Sequence, residues 1–478
     1  MPLPVLSVEE MRSWEASSWK AGATESEVIA QVGLSLANCI LTQLPRVGRV
    51  LILAGPGNNG ADARAAIPHL SHLQVEVLEA SRTPPTNGAI EAALSKNPDL
   101  IVDGLFGIGL NRGLGSEWNP FFERIQDHGC RVLAVDVPSG LDANSGEVPG
   151  AAIRADLTLT VGTPKRGLVS SQALPWVGRL QVAHPVGLIG ELPSGSELQW
   201  TLEEDFPDMR LLRSRKVDSH KGSFGQAVLI AGSLGYSGAA VLAARGAGCA
   251  RPGLLSVLTP QECWLPISSQ LAAAMVHPLS PDHPALSRAT AILIGPGMAD
   301  PRLDPTIRRQ AIQLWIEFPG ILVADASALD WLPESASHAG IRVVTPHPGE
   351  AARLLGMTSE QIQANRPAAL RKIAEKLNAI VLLKGHQTLV GSAKGPIFIN
   401  PVGNPGLSQG GTGDVLAGFL TGLLAQPGLA SDPWTTCRLA AWVHGATADH
   451  LESQCGHWSA EQLALKLDPF RIHGQTRF

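Results

Sequence analysis

The tetrapeptide Gly411-Thr412-Gly413-Asp414 stands directly ahead of an apolar run, "VLAGFLTGLLAQ". A helix starting there leaves its first amides without partners, and its dipole adds partial positive charge at the same end. Such a turn suits an anion, above all a phosphoryl group in transfer. A carboxylate among those glycines makes sense as a base. Asp414 can take the proton from a substrate hydroxyl while the amides hold the charge developing on phosphate. The plainer alternative is a glycine turn with an acid at a helix start, which stabilises by about 0.3–1 kcal/mol. Thr412 is the expected cap of this helix, with Leu416, Phe419, Leu420 and Leu423 as its apolar stripe.

Two more segments join this one. "IRVVTPHPGE" places His347 and Glu350 after a strand-like run, and "AIVLLKGHQT" does the same for Lys384. Both loops then lie at carboxyl ends of parallel strands, where α/β folds bind ligands. Lys384 can face phosphate or be an ordinary turn lysine. Glu350 is expected to cap the following helix rather than reach Mg²⁺ through water.

A second constellation occupies the N-terminal half. "LAGPGNNGADARAAI" carries Asp62, "IVDGLFGIGLNRGLG" Asp103, "LAVDVPSGLDANSG" Asp136 and "LTLTVGTPKRGL" Lys165. Each follows a strand-like run. The three acids and the lysine can converge at one sheet edge, or else be unrelated turn residues.

The elements that must position these groups are short apolar, β-branched runs alternating with helical stretches. In the N-terminal half they are "RVLILAG", "VEVLEA", "DLIVDG", "RVLAVD" and "ADLTLTV". In the C-terminal half they are "QAVLIAG", "LLSVLT", "AILIG", "ILVAD", "IRVVT" and "AIVLLK". This is the pattern of parallel sheets covered on both faces, an α/β class. From Gly190 to about Arg215 the chain turns polar without strand periodicity, which places a domain boundary near Gln199: 1–198 and 199–478. The 478 residues are 44% hydrophobic and 17% charged, with a net charge of −5, so nothing suggests nucleic acid as a partner. Six scattered cysteines without a CxxC pair argue for a reducing compartment and against structural zinc. No segment reads as a signal peptide or a membrane span, so a cytoplasmic location is expected.

The C-terminal segments, in chain order, resemble the ribokinase-fold NAD(P)HX dehydratases. They are "SHKGSFGQAVLIAGSLGYSGAAVLAARGA", "AILIGPG", "TPHPGEAARLLG", "VLLKGHQTLV" and "GNPGLSQGGTGDVLAGFLTGLLAQ". The resemblance implies a ribokinase-like α/β domain that uses ADP or ATP, with Mg²⁺, to phosphorylate the ring hydroxyl of a hydrated nicotinamide cofactor. Phosphate loss then restores NADH or NADPH. It makes Asp414 the catalytic base. By the same resemblance Lys384, Gly385, His386, Gln387 and Thr388 line the nucleotide, as do Asn404, Gly406, Gly410, Gly411, Thr412 and Gly413. Ala240, Gly297, His347 and Asp414 would meet the substrate. One departure is "VADASALDWL", where Ser327 stands in place of a second acid and any shared role rests on Asp325.

The N-terminal half is similar to the NAD(P)HX epimerase domain, which commonly precedes the dehydratase in fused bacterial proteins. That implies a Rossmann-like three-layer domain converting R-NAD(P)HX to S-NAD(P)HX. Asn59, Asp103 and Ser139 would hold K⁺, for which oxygen donors are apt. Asn58, Asn59, Gly60, Ala61 and Asp62 would bind substrate with Asp136 and the loop Gly107, Ile108, Gly109, Leu110, Asn111, Arg112, Gly113. Asp136 and Lys165 are the acid–base candidates. The family loop is typically NNGGDG, whereas Ala61 and Ala63 add methyls here, each costing about 1–2 kcal/mol if its backbone is left-handed. Ala30 and Gln31 also replace the usual Glu and Asn. Two alternatives stay open: a kinase of the same fold acting on a vitamin precursor, and a non-catalytic N-terminal binding module. The sequence leaves open ADP versus ATP, NADHX versus NADPHX, and whether the chain forms a homo-oligomer.

Overall fold

The structure, a computed structural model, describes residues 1–44, 47–110, 113–206, 215, 217–334 and 337–468, and counts below are of these residues. The chain divides between Trp200 and Thr201 into two units. The first contains β1 (Leu3–Pro4), β2 (Arg49–Ala54), β3 (Gln74–Glu79), β4 (Leu100–Gly104), β5 (Arg131–Val135), β6 (Leu157–Val161), β7 (Arg179–Ala183) and β8 (Leu198–Trp200). Six of them form a parallel sheet in the order β3-β2-β4-β5-β6-β7. β1 pairs antiparallel with β8.

Successive residues of β2 face different cores. Val50, Ile52 and Ala54 pack with Leu36 and Ile40 of the helix Glu25–Gln43 and Ala63 of the helix Asn58–Ala65. Leu51 and Leu53 pack with Ile90 of the helix Asn87–Leu94 and Phe121 and Ile125 of the helix Asn119–His128. The sheet is thus the middle of three layers, which explains why its strands read as unbroken apolar runs. Strand order reverses between β2 and β4. The loops after those strands diverge to opposite faces and open a crevice at the carboxyl edge.

The second unit repeats this logic with β9 (Gln226–Ile230), β10 (Leu254–Thr259), β11 (Met275–Pro278), β12 (Ala291–Ile294), β13 (Ile321–Ala324), β14 (Arg342–Val344), β15 (Ile380–Leu383), β16 (Leu389–Gly391) and β17 (Ile397–Ile399). Their order is β11-β10-β9-β12-β13-β14-β15-β16-β17. Pairing is parallel as far as β15, and β16 and β17 are antiparallel. Here the order reverses between β9 and β12. One face is buried under the helices Ser237–Cys249, Thr412–Leu424 and Pro433–Cys455. The first two meet at their backbones, since a side chain on Gly418 would collide with the Ala243 carbonyl.

Every strand-like run of the sequence is a strand. The polar stretch after Gly190 nevertheless carries β8, which its composition does not signal. No helix among the described residues is long and apolar enough to cross a membrane.

Candidate active sites

The crevice of the first unit is a cavity of about 790 Å³. Asn58, Asn59 and Asp62 come to it from the helix after β2, and Gly107, Ile108, Gly109, Leu110 and Gly113 from the loop after β4. Asp136 and Lys165, beyond β5 and β6, form its floor. Lys165 is 1% exposed and donates from Nζ to Asp136 Oδ1 (2.5 Å), the Val161 carbonyl (2.7 Å) and Thr160 Oγ1 (3.0 Å). Asp136 also accepts from the Val161 amide at 3.1 Å, and its φ of 63° is a left-handed value rare outside glycine. Such local strain is common where a side chain must be aimed at a ligand. Burial, and then the charge of Asp136, push Asp62 up to about 8, with Lys165 opposing.

Asp103 does not line the cavity. It is fully buried and accepts from the Ser139 hydroxyl (2.7 Å), the Ser139 amide (2.8 Å) and the Leu105 amide (3.3 Å). Burial raises it to about 6 against those three bonds. Of the expected convergent set, Asp62, Asp136 and Lys165 therefore share the cavity and Asp103 braces the loops behind it. Gly60 is buried against Gly55, where a side chain would collide with the carbonyl, and Ala61 lies half-buried on the helix. Asn111 and Arg112 lie outside the described residues.

One expectation about this loop changes. Asn58–Ala65 is a regular helix, and neither Ala61 nor Ala63 has a positive φ, so the left-handed penalty does not arise. The Ala63 methyl is buried in the core rather than pointing at a ligand. Residues that the motifs did not flag also face the cavity: Arg12 and Glu15 from the helix Val8–Lys20, Glu25, and Arg82. Arg12 donates to the Ile108 carbonyl at 3.2 Å, and Asn58 Nδ2 to Glu25 at 2.5 Å.

In the second unit the helix Thr412–Leu424 begins uncapped. Its N-cap is Gly411, at φ 95°, with no side-chain hydrogen bond. The expected cap, Thr412, instead turns its hydroxyl back to the carbonyls of Leu407 (2.8 Å) and Gln409 (3.1 Å). No side chain accepts from the first helix amides, which stay free for an anion. The expected stripe residues are buried, and burial continues around the helix from Val415 to Leu424.

Lys384 lies beside this helix start, its Nζ only 3.4 Å from where a Gly413 side chain would begin. It donates to Asp325 at 2.7 Å and comes within 3.8 Å of Glu350. Burial works against its charge, but Asp325 and Glu350 together hold the ammonium above the ordinary lysine range. Burial, and then Asp325, push Asp414 up to about 7, with Lys384 opposing. Glu350 is the expected cap: it accepts the His347 amide at 2.8 Å. His347 in turn accepts from the Gly349 amide at Nδ1 (3.0 Å), and burial lowers its pKa. Gly297 sits at the β9/β12 reversal with φ 66°, its carbonyl accepting from Ser233 at 2.6 Å. Ala240 has no exposed surface, so it shapes this region from behind.

Three residues that hold these loops escaped the motif reading. Arg366 donates to the carbonyls of Leu383 (3.0 Å), Lys384 (3.4 Å), His386 and Gln387 (3.2 Å), fixing the stretch that contains Gly385 and Thr388. Asp449 accepts from the Gly403 amide (3.0 Å) and Asn404 Nδ2 (3.1 Å), while Asn404 Oδ1 accepts from the Gly406 amide (2.9 Å). His444, buried and lowered to about 4, bonds the Thr412 carbonyl at 3.0 Å. Gly410 completes the loop between Asn404 and Gly411. All three holders act across long sequence separations, so no local pattern marks them.

The NAD(P)H-hydrate dehydratase family profile matches residues 227–468, and the profile for the YjeF-related protein N-terminus matches 74–167. The chain is 31% identical to the bifunctional NAD(P)H-hydrate repair enzyme Nnr of Coxiella burnetii, covering 94% of each. It is 33% identical to that of Gloeobacter violaceus (98% of this chain, 97% of the relative) and 32% to that of Escherichia coli (91% and 87%). Among solved structures, the ADP/ATP-dependent NAD(P)H-hydrate dehydratase of Bacillus subtilis, co-crystallised with ATP/Mg²⁺, is 30% identical with a TM-score of 0.47, covering 53% of this chain and 91% of that one. This chain belongs to the family of bifunctional NAD(P)H-hydrate repair enzymes, which epimerise hydrated nicotinamide cofactors in one domain and dehydrate them in the other.

Proposed function

We propose that the two repair steps are carried by Asp136 with Lys165 in the first unit and by Asp414 with Lys384 in the second. The carrying observation is Asp414 on an uncapped glycine helix start beside Lys384. The free amides and Lys384 take the phosphates of ADP or ATP, and Asp414 removes the proton of the substrate hydroxyl as the phosphoryl group arrives. Gly385, His386, Gln387 and Thr388 would line the nucleotide together with the loop Asn404–Gly413. Mg²⁺ would be held chiefly by the nucleotide phosphates, neutralising charge during transfer, since it retains waters and needs few protein ligands. Asp325 and Glu350, both beside Lys384, are the carboxylates that would reach it through water.

In the first unit, the cavity takes the hydrated nicotinamide ring of NADHX or NADPHX. Asn58, Asn59, the 107–113 loop and Asp136 orient it, and Asp136 and Lys165 govern proton movement at the inverting carbon. A K⁺ ion fits Asn59, Asp103 and Ser139. Asn59 Nδ2 is buried without a partner, as expected if the amide is turned so that its oxygen faces a cation, and the donors are all oxygens. That ion would offset the buried Asp103 charge. The six cysteines, all unpaired, support a reducing cytoplasm as the location.

The test is recovery of reduced-nicotinamide absorbance from a mixed R/S NADHX sample with Mg²⁺, K⁺ and either ADP or ATP. Complete recovery, faster than spontaneous epimerisation, is expected. Recovery that stalls when the S epimer is consumed would sink the epimerase assignment, and none with either nucleotide would sink the Asp414 assignment.

A further inference from the structure

Asp62 is buried, lines the cavity, and receives no hydrogen bond from any described residue. Its neighbour in that cavity, Asp136, is by contrast held by Lys165 and the Val161 amide. A buried carboxyl without donors is costly as a charge and inexpensive as a neutral acid. The charged groups that act on it are Asp136 and Lys165, Glu15 on the first helix and Glu25 on the second, and Arg12, Arg82 and Glu117 line the same cavity. Of the four that act on it, Lys165 alone favours ionisation, and burial with the three carboxyls outweighs it, which is why Asp62 lies near 8.

The inference rests on the cavity being the epimerisation site. Water adding to a polarised enamine puts its oxygen on the carbon bonded to nitrogen. The R and S hydrates therefore differ at a carbon whose hydroxyl can leave with help from the ring nitrogen. Inversion needs no oxidant. The C–O bond breaks as the hydroxyl takes up a proton and departs as water, and the nitrogen lone pair forms a planar C=N⁺. Water then adds to the opposite face and gives up a proton. One acid must be protonated and one base ionised at the same moment.

We infer that Asp62 is the acid that protonates the departing hydroxyl, and that Asp136, positioned by Lys165, takes the proton from the incoming water. One proton moves from Asp62 to Asp136 per inversion, and solvent exchange returns it before the next. In the S-to-R direction the two carboxyls exchange roles.

The experiment uses the full chain and purified R-NADHX without nucleotide, following formation of the S epimer by chromatography. Asp62→Asn is expected to slow inversion about 10²–10⁴-fold. R-NADHX affinity should stay within about threefold, and Asp62→Glu should recover part of the rate. In the wild-type chain the rate should fall as pH rises through about 8, as the acid loses its proton, and this alkaline limb should be absent from the residual activity of Asp62→Asn. A wild-type rate and pH profile in Asp62→Asn would overturn the inference, as would a loss confined to affinity. If Asp62→Asn is active and Asp136→Asn is inactive, only the Asp62 role fails. If Asp136→Asn is also fully active, the cavity is not the epimerisation site.

Discussion

Lys165 directs its ammonium to Asp136, Thr160 and Val161 and is sealed from solvent. Lys384 keeps 17% of its side chain exposed, makes one close bond to Asp325, and adjoins the bare amides at Gly413. Both lysines follow a strand at the carboxyl edge of a doubly wound sheet. They differ in what remains free. A lysine with three acceptors already in place has no donor for an incoming phosphate, so it can only fix the electrostatics of the carboxylate beside it. A lysine with protons to spare, at a helix start lacking a cap, can meet an anion. The two lysine sites thus differ less in residue type than in how completely their donors are used.

The largest effect expected is that of Asp414→Asn, which should lower dehydration of S-NADHX about 10²–10⁴-fold while leaving ADP or ATP affinity within about threefold. An equal loss of both would remove Asp414 from the role of base. Without substitution, dehydration should decline as pH falls through about 7, because the base must be ionised to accept a proton. In Lys384→Met this acid limb should move to higher pH, since Lys384 is what holds Asp414 down; a limb that stays put would separate the two residues.

The lysines themselves sharpen the contrast. Lys165→Met leaves Asp136 as an unpaired buried charge and should destabilise the first unit by about 3–5 kcal/mol in chemical denaturation. Lys384→Met should cost far less stability and instead weaken nucleotide binding. The opposite pattern in calorimetry and binding would break the comparison. Asp449→Asn removes a charged acceptor from the Gly403 amide and should raise the KM for nucleotide about tenfold, with kcat little changed. The smallest effect belongs to Ala63→Gly. It should lose about 1 kcal/mol of stability from the helix Asn58–Ala65 and leave epimerisation unchanged. A marked gain in rate would mean the methyl does obstruct the substrate.

The strands and the loops that follow them were legible because fully buried parallel strands are continuous apolar runs. Asp62, Asp136, Lys165 and Lys384 each sit one loop beyond such a run, and Asp414 is marked instead by the glycines ahead of its apolar helix. Less was legible where the signal is not local. β16 and β17 are three residues each, too short for a periodicity. Thr412 has the residue type of a cap, yet two carbonyls of the preceding loop claim its hydroxyl. Ala61 and Ala63 looked obstructive beside a glycine-rich family loop, but a helix needs no left-handed residue there. Arg366, His444 and Asp449 look like ordinary helix residues until the fold brings backbone carbonyls and amides to them.

The most direct test mixes the two single-site variants, Asp136→Asn and Asp414→Asn, in one tube with R/S NADHX, Mg²⁺, K⁺ and nucleotide. Each alone should fail to complete repair: the first should stall once the S epimer is used, and the second should scarcely begin. Together they should restore complete recovery, because each chain supplies the step that the other lacks and the S epimer passes between them through solution. A mixture that still stalls at the S fraction would contradict the assignment of the two steps to these two sites.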